Sequence, residues 1–190
     1  RGVARDLAQK AVAITDKRDP NYDRPTPIWP SSNPRGFAKS FEAKAALGRN
    51  RTLAVHEVRA VIEEVPPYEW KTTLQQSIQL MKRHRDVRFS DPKVADLAPI
   101  SMIITNLAAQ AYDGEPDLRL ALGSIVENMP GFVRNDRPRV PNPADPEEDY
   151  ADKWRLDSRL ESSFWEWLDA LKTDLAALST AIDEGTAGLV

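Results

Sequence analysis

The stretch from Ser158 to Asp183, "SRLESSFWEWLDALKTDLAALSTAID", constrains the fold more than any other part of the chain. Leu160, Phe164, Trp167, Leu171, Leu175, Leu178 and Ile182 recur at the spacing of a single helix face, and Ser158 with Glu161 forms an S-x-x-E capping box at its start. A helix this long with so broad an apolar stripe needs other helices to cover it. The remaining sequence must supply them.

It does so from Pro34 onward. "PRGFAKSFEAKAAL" sets Phe37, Phe41 and Ala45 one turn apart, and Gly48 is placed to end that helix. "TLAVHEVRAVIEE" carries Leu53, Val55, Val58 and Ile62 up to the stop at Pro66-Pro67. Residues 68–89 predict a third helix, with Leu74, Ile78 and Met81 on one stripe and Leu80 and Val87 widening it. "APISMIITNLAAQAY" places Pro99 in a first turn and Ile100, Ile103, Ile104, Leu107 and Ala111 on one face, ending before Gly114. "DLRLALGSIVENMPGFV" gives Leu118, Leu122, Ile125 and Met129 at helical spacing. Between this helix and the last, "RPRVPNPADPEEDYADKW" reads as a long structured loop. The expected fold class is all-α, a helical bundle from 35 to 190.

Residues 1–34 differ. "KAVAIT" (Lys10 to Thr15) alternates like a short strand, and five prolines fall among residues 16 to 34. A lone short strand is not stable in water. The segment is therefore expected to be either a remnant of a domain whose sheet lies upstream or a strap packed on the bundle.

Composition narrows the chemistry. At 190 residues, one main domain is expected. The net charge of −3 provides no global field for DNA or RNA, so any anion-binding region must be local. With zero cysteines and two histidines, His56 and His84, thiolate zinc sites and thiol nucleophiles are excluded and a histidine-rich metal centre is ruled out. No apolar run approaches the roughly 20 residues of a membrane span. A soluble protein of a reducing cytoplasm is expected.

Against that acidic background "LMKRHRD" (80–86) stands out. At about 100° per residue, Lys82 lies about 40° to one side of Ile78 and Arg85 about 20° to the other, both at the edge of the buried stripe. Long stems there can lie along apolar neighbours while the charged heads reach a cleft. Solvated cations at a helix C-terminus, favoured by the macrodipole, are the plainer reading of the same residues. His84 is expected to pack or hydrogen-bond rather than catalyse. Trp154, Trp165 and Trp167 are expected to pack. Glu147 and Asp149 in "PEEDYAD" read as a solvated loop rather than a metal site. No G-x-S-x-G, Walker A, G-x-G-x-x-G or H-E-x-x-H motif occurs.

"TLQQSIQLMKRHRDV", "PISMIITNLAAQAY" and "VPNPADPEEDYADKW", preceded by "IWPSSNPRGFAKSF", resemble in order and approximate spacing the C-terminal helical half of bacterial cGAS/DncV-like nucleotidyltransferases (CD-NTases, SMODS type). These make cyclic oligonucleotide second messengers in CBASS antiphage defence. The resemblance runs from about Ala13 to Leu171. It implies a two-lobed enzyme in which a small sheet bears a Gly-Ser motif and carboxylates holding Mg2+ or Mn2+. A helical lobe, similar to the substrate lobe of poly(A) polymerase and oligoadenylate synthase, closes the cleft. Carried over by motif, Lys82 matches a lysine that contacts the nucleoside triphosphate and Ser101 a serine that hydrogen-bonds the same phosphates; Arg85 is a further candidate.

The Gly-Ser motif and metal ligands are expected upstream of residue 1, on a catalytic lobe of the same protein of which residues 1–34 are the remnant. No catalytic residue is expected within the chain, and the chain alone is expected to be inactive. Two alternatives stay open: a noncatalytic helical binding module, and the lobe of a transferase acting on RNA ends, against which the acidic net charge counts mildly.

Overall fold

The computed structural model describes residues 5–15, 17, 22–24, 29–57 and 71–187, with the side chains of 5, 6, 49–57 and 182–187 left aside. The elements run α1 (Arg5–Ala8), β1 (Val12–Ala13), β2 (Ser31–Ser32), α2 (Pro34–Glu57), α3 (Thr73–Arg88), α4 (Ser101–Ala111), α5 (Leu118–Asn128), β3 (Pro141–Asn142), β4 (Asp145–Asp149) and α6 (Ser158–Ala187). The architecture is mostly helical with two small antiparallel sheets, β1 with β2 and β3 with β4. The purely α expectation is corrected to that extent.

Local chemistry sets the helix starts. Thr72 caps α3 in a complete capping box: its hydroxyl accepts from Gln75 N at 3.3 Å, and the Gln75 side chain accepts from Thr72 N at 2.8 Å. Asp117 caps α5 by accepting from Leu120 N at 2.9 Å. Gly114, between α4 and α5, has φ 91°, a conformation that favours glycine.

The core is the meeting of α3, α4, α5 and α6. Leu74, Ile78 and Met81 of α3 bury against Ile103, Ile104 and Leu107 of α4, against Leu122 and Ile125 of α5, and against Phe164, Trp167 and Leu171 of α6. The predicted stripes therefore mark the core, with three trims. Leu80 and Val87 are 48% and 58% exposed, because α3 buries one narrow face and these two lie outside it. Ile100 precedes α4 as its cap residue and faces out, and Leu178 lies exposed beyond the part of α6 that the bundle covers.

Several boundaries also move. Helix α2 runs through Gly48 without stopping; the missing side chain there makes room for Tyr112. Val58, Ile62 and the Pro66-Pro67 stop lie outside the described residues, as do the side chains of Leu53, Val55 and Ile182. The fifth helix ends at Asn128 and tightens into a 3-10 turn over Met129–Phe132, where Pro130 removes a backbone donor. At α6 the first-turn hydrogen bond comes from Asp157, whose Oδ1 accepts from Arg159 N at 3.0 Å; Glu161 pairs with Arg139 instead of closing the expected box. The proline-rich loop before α6 folds into the β3–β4 hairpin.

The "KAVAIT" strand shortens to Val12–Ala13, paired with Ser31–Ser32. A polar network fastens this N-terminal strap to the hairpin. Ser31 Oγ donates to Asp145 at 2.5 Å, Ser32 Oγ donates to Glu148 at 2.7 Å, and Asn33 N donates to Glu148 at 3.0 Å. The fully buried Asn33 side chain donates to the carbonyls of Leu7 and Ala144 and accepts from Gly36 N. Buried amides held this completely fix one geometry.

Candidate functional site

Lys82, Arg85 and Ser101 come from two neighbouring elements, the C-terminal half of α3 and the first residue of α4. The intervening Phe89–Ile100 segment turns the chain back so that these two helix ends meet. Arg85 joins them. Its Nη1 donates to Pro99 O at 3.0 Å and to Ser101 Oγ at 2.9 Å, while Nε and Nη2 donate to Asp86 Oδ1 at 2.9 and 2.6 Å. Arg85 is thus paired internally, and it reaches Ser101, which sequence reasoning did not foresee. The only signal was helical spacing, which puts Arg85 at the edge of the buried stripe of α3 but does not say which element it meets.

Lys82 sits one turn before Arg85 and is half-buried. Among the described residues its ammonium has no hydrogen bond or ion pair. Burial, then the Arg85 charge, draw its pKa below the ordinary lysine value, with Asp86 partly opposing. A cation held this way gains by meeting an anion. Ser101 is exposed at the first position of α4, where backbone N–H groups lack helical partners and the dipole favours negative charge. Thr105, one turn on, donates its hydroxyl to Ser101 O at 2.7 Å and holds this first turn.

An open groove of about 680 Å³ lies nearby between α2, α3 and α4, lined among others by Phe37, Phe41, Glu42, Gln75 and Thr105. Gln75 is two turns before Lys82 on α3 and Thr105 one turn after Ser101 on α4, so groove and cation edge occupy related faces of the same two helices. Sequence reasoning missed this groove because α2 forms its far wall, and helical periodicity does not specify which helices pack together.

His84 behaves as a packing residue: Nε2 is 2.9 Å from Asp174 Oδ2 and the ring lies beside Trp167. Trp154 and Trp167 are buried in the core, and Trp165 packs at its edge, in contact with Phe164. In the acidic run Glu147 is exposed, but Asp149 is no solvated loop residue. It accepts from the backbone N–H of Arg139, Val140 and Ala151, each at 2.9 Å. Among the described residues no group of three His, Asp or Glu side chains is placed to hold a metal ion, so no metal step is assigned to them. No helix among them is long and apolar enough to cross a membrane.

A protein of Roseivirga ehrenbergii named c-di-GMP synthase is 30% identical over an alignment of 167 residues that covers 84% of this chain and 43% of that protein. The chain thus relates to a cyclic dinucleotide synthase, spanning less than half of its length. No family model matches the chain.

Proposed function

We propose that the chain is the helical lobe of a nucleotidyltransferase of the cGAS/DncV-like group that makes cyclic oligonucleotides from nucleoside triphosphates in antiphage defence. Its role is to hold the triphosphate. The observation that carries this reading is Lys82: a partly desolvated cation without a partner among the described residues, one turn from an arginine that touches Ser101 at a helix N-terminus. Similarity to the protein named c-di-GMP synthase supports the nucleotide as the anion.

In such a reaction a hydroxyl attacks the α-phosphorus in line with the departing pyrophosphate, and most of the catalytic effect is positioning and charge stabilisation. Lys82 would neutralise charge that grows on the β- and γ-phosphates, while the Ser101 hydroxyl and the free N–H groups of the first α4 turn would fix their orientation. Mg2+ or Mn2+, supplying the activation of the hydroxyl, belongs in this proposal to carboxylates outside these residues, on a catalytic lobe to which residues 1–34 connect. Residues 35–190 form the nucleotide-holding lobe.

Isothermal titration of the chain with GTP and ATP tests the reading. Saturable binding that Lys82→Ala abolishes, with helicity unchanged, is expected. A chain that ignores both nucleotides would be a protein-interaction module, and one that prefers single-stranded RNA to either would be the lobe of an RNA-end transferase.

A further inference from the structure

Resting on the triphosphate reading above, we infer that Arg85 is a positioning residue that acts through Ser101: its guanidinium holds the Ser101 hydroxyl so that the hydroxyl hydrogen is presented to a phosphate oxygen of the nucleotide. A guanidinium carries five N–H donors and no acceptor. Four of the five are committed, two to Asp86, one to Pro99 O and one to Ser101 Oγ. The side chain is only 14% exposed and its charge is matched by Asp86 at 2.6 Å. Arg85 is therefore poorly placed to grip a phosphate itself.

Its effect on Ser101 is specific. In the 2.9 Å contact Arg85 can only donate, so Ser101 Oγ must accept, and the single hydroxyl hydrogen is turned elsewhere. The other Nη1 hydrogen goes to Pro99 O, so the guanidinium that meets Ser101 is itself fixed in place. Ser101 is exposed, which leaves that hydrogen free to turn to an acceptor in the space in front of α4. Phosphate oxygens are acceptors, and a chain running guanidinium to hydroxyl to phosphate polarises the hydroxyl as a donor. Lys82 brings the charge; Arg85 sets the direction of a neutral donor beside it.

A brace that merely joins α3 to α4, or a direct contact to phosphate, would show the same bonds in the free protein but a different dependence on Ser101. GTP titrations on the wild-type chain, Lys82→Ala, Ser101→Ala, Arg85→Gln and the Arg85→Gln/Ser101→Ala double variant separate these roles, with circular dichroism confirming the fold. Ser101→Ala and Arg85→Gln are each expected to weaken GTP roughly tenfold, and the double variant roughly tenfold rather than a hundredfold, since the second change has nothing left to act on. Additive, roughly hundredfold loss would overturn the inference in favour of direct contact. Unchanged affinity in Arg85→Gln, while Lys82→Ala abolishes binding, would leave Arg85 a brace and overturn this inference alone. No binding by wild type would overturn the triphosphate reading and this inference with it. Should Arg85→Gln not fold, Arg85→Lys takes its place. It keeps one donor for Ser101 and should bind within roughly threefold of wild type; a larger loss that persists in the Ser101→Ala background counts against the inference.

Discussion

Gly48 of α2 lies so close to Tyr112 that a β-carbon built on it would stand 1.9 Å from the tyrosine hydroxyl oxygen. Tyr112 is fully buried, and its hydroxyl donates to Glu115 O at 2.8 Å, so the ring is held from both ends and cannot easily withdraw. The close approach lets α2 seat against the end of α4, and that seating forms one wall of the groove beside the cation edge.

Gly48→Ala should therefore destabilise the fold, although alanine is the better helix former by roughly 0.5–1 kcal/mol. Overpacking at such a contact costs roughly 1–3 kcal/mol, which exceeds the gain. Urea denaturation should show a lower midpoint with an unchanged slope. A variant as stable as wild type would mean that Tyr112 yields more readily than its buried hydrogen bond implies.

Glu148 is the second point where a single change should matter. Its carboxylate accepts from Ser32 Oγ, Asn33 N and Asn142 Nδ2, the last at 2.6 Å, and so ties the strap to the hairpin. Glu148→Ala leaves the buried Asn142 amide short of a partner and should cost about 2–4 kcal/mol in thermal or urea unfolding. Glu147→Ala, on the exposed neighbour, should cost less than about 0.5 kcal/mol.

These two sites also mark what could be read from the residues alone. The apolar stripes of α4 and α6 located the core because burial imposes a helical period that local sequence carries. The place of Lys82 at a stripe edge is read from the same period, whereas Ser101 is singled out only through the family resemblance, and its position as the first residue of α4 comes from the structure. Gly48 was misread because a glycine that ends a helix and a glycine that admits a neighbouring ring look alike until Tyr112, 64 residues away, is in place. The acidic run reads as solvent-facing loop in the sequence because Asp149 and Glu148 find their donors only through tertiary pairing. The Arg85–Ser101 bond was hidden for the same cause.

Leu171 tests the core assignment itself. It is 4% exposed within the cluster formed by Phe164, Trp167 and Met81. Leu171→Asp would bury an unpaired charge and leave a cavity, a loss on the order of 4 kcal/mol or more, enough to unfold a domain of ordinary stability. The signal at 222 nm should collapse at room temperature. Leu178→Asp, on the exposed continuation of the same stripe, should leave that signal intact.

Lys82 gives a prediction in pH. Burial and the Arg85 charge hold its pKa below the ordinary lysine value in the free protein. A bound triphosphate favours the charged form and raises that pKa, so binding takes up a proton wherever free Lys82 has lost one. The sign follows: affinity is full below the free-state pKa and falls as pH rises through it, starting at lower pH than for a lysine with the ordinary value. Inorganic triphosphate, which is fully ionised in the alkaline range, is the suitable probe. Titrations should show affinity declining there for wild type but staying flat for Lys82→Arg, whose charge persists. A decline of equal size in both proteins would place the titrating group elsewhere and remove Lys82 from the proposed phosphate site.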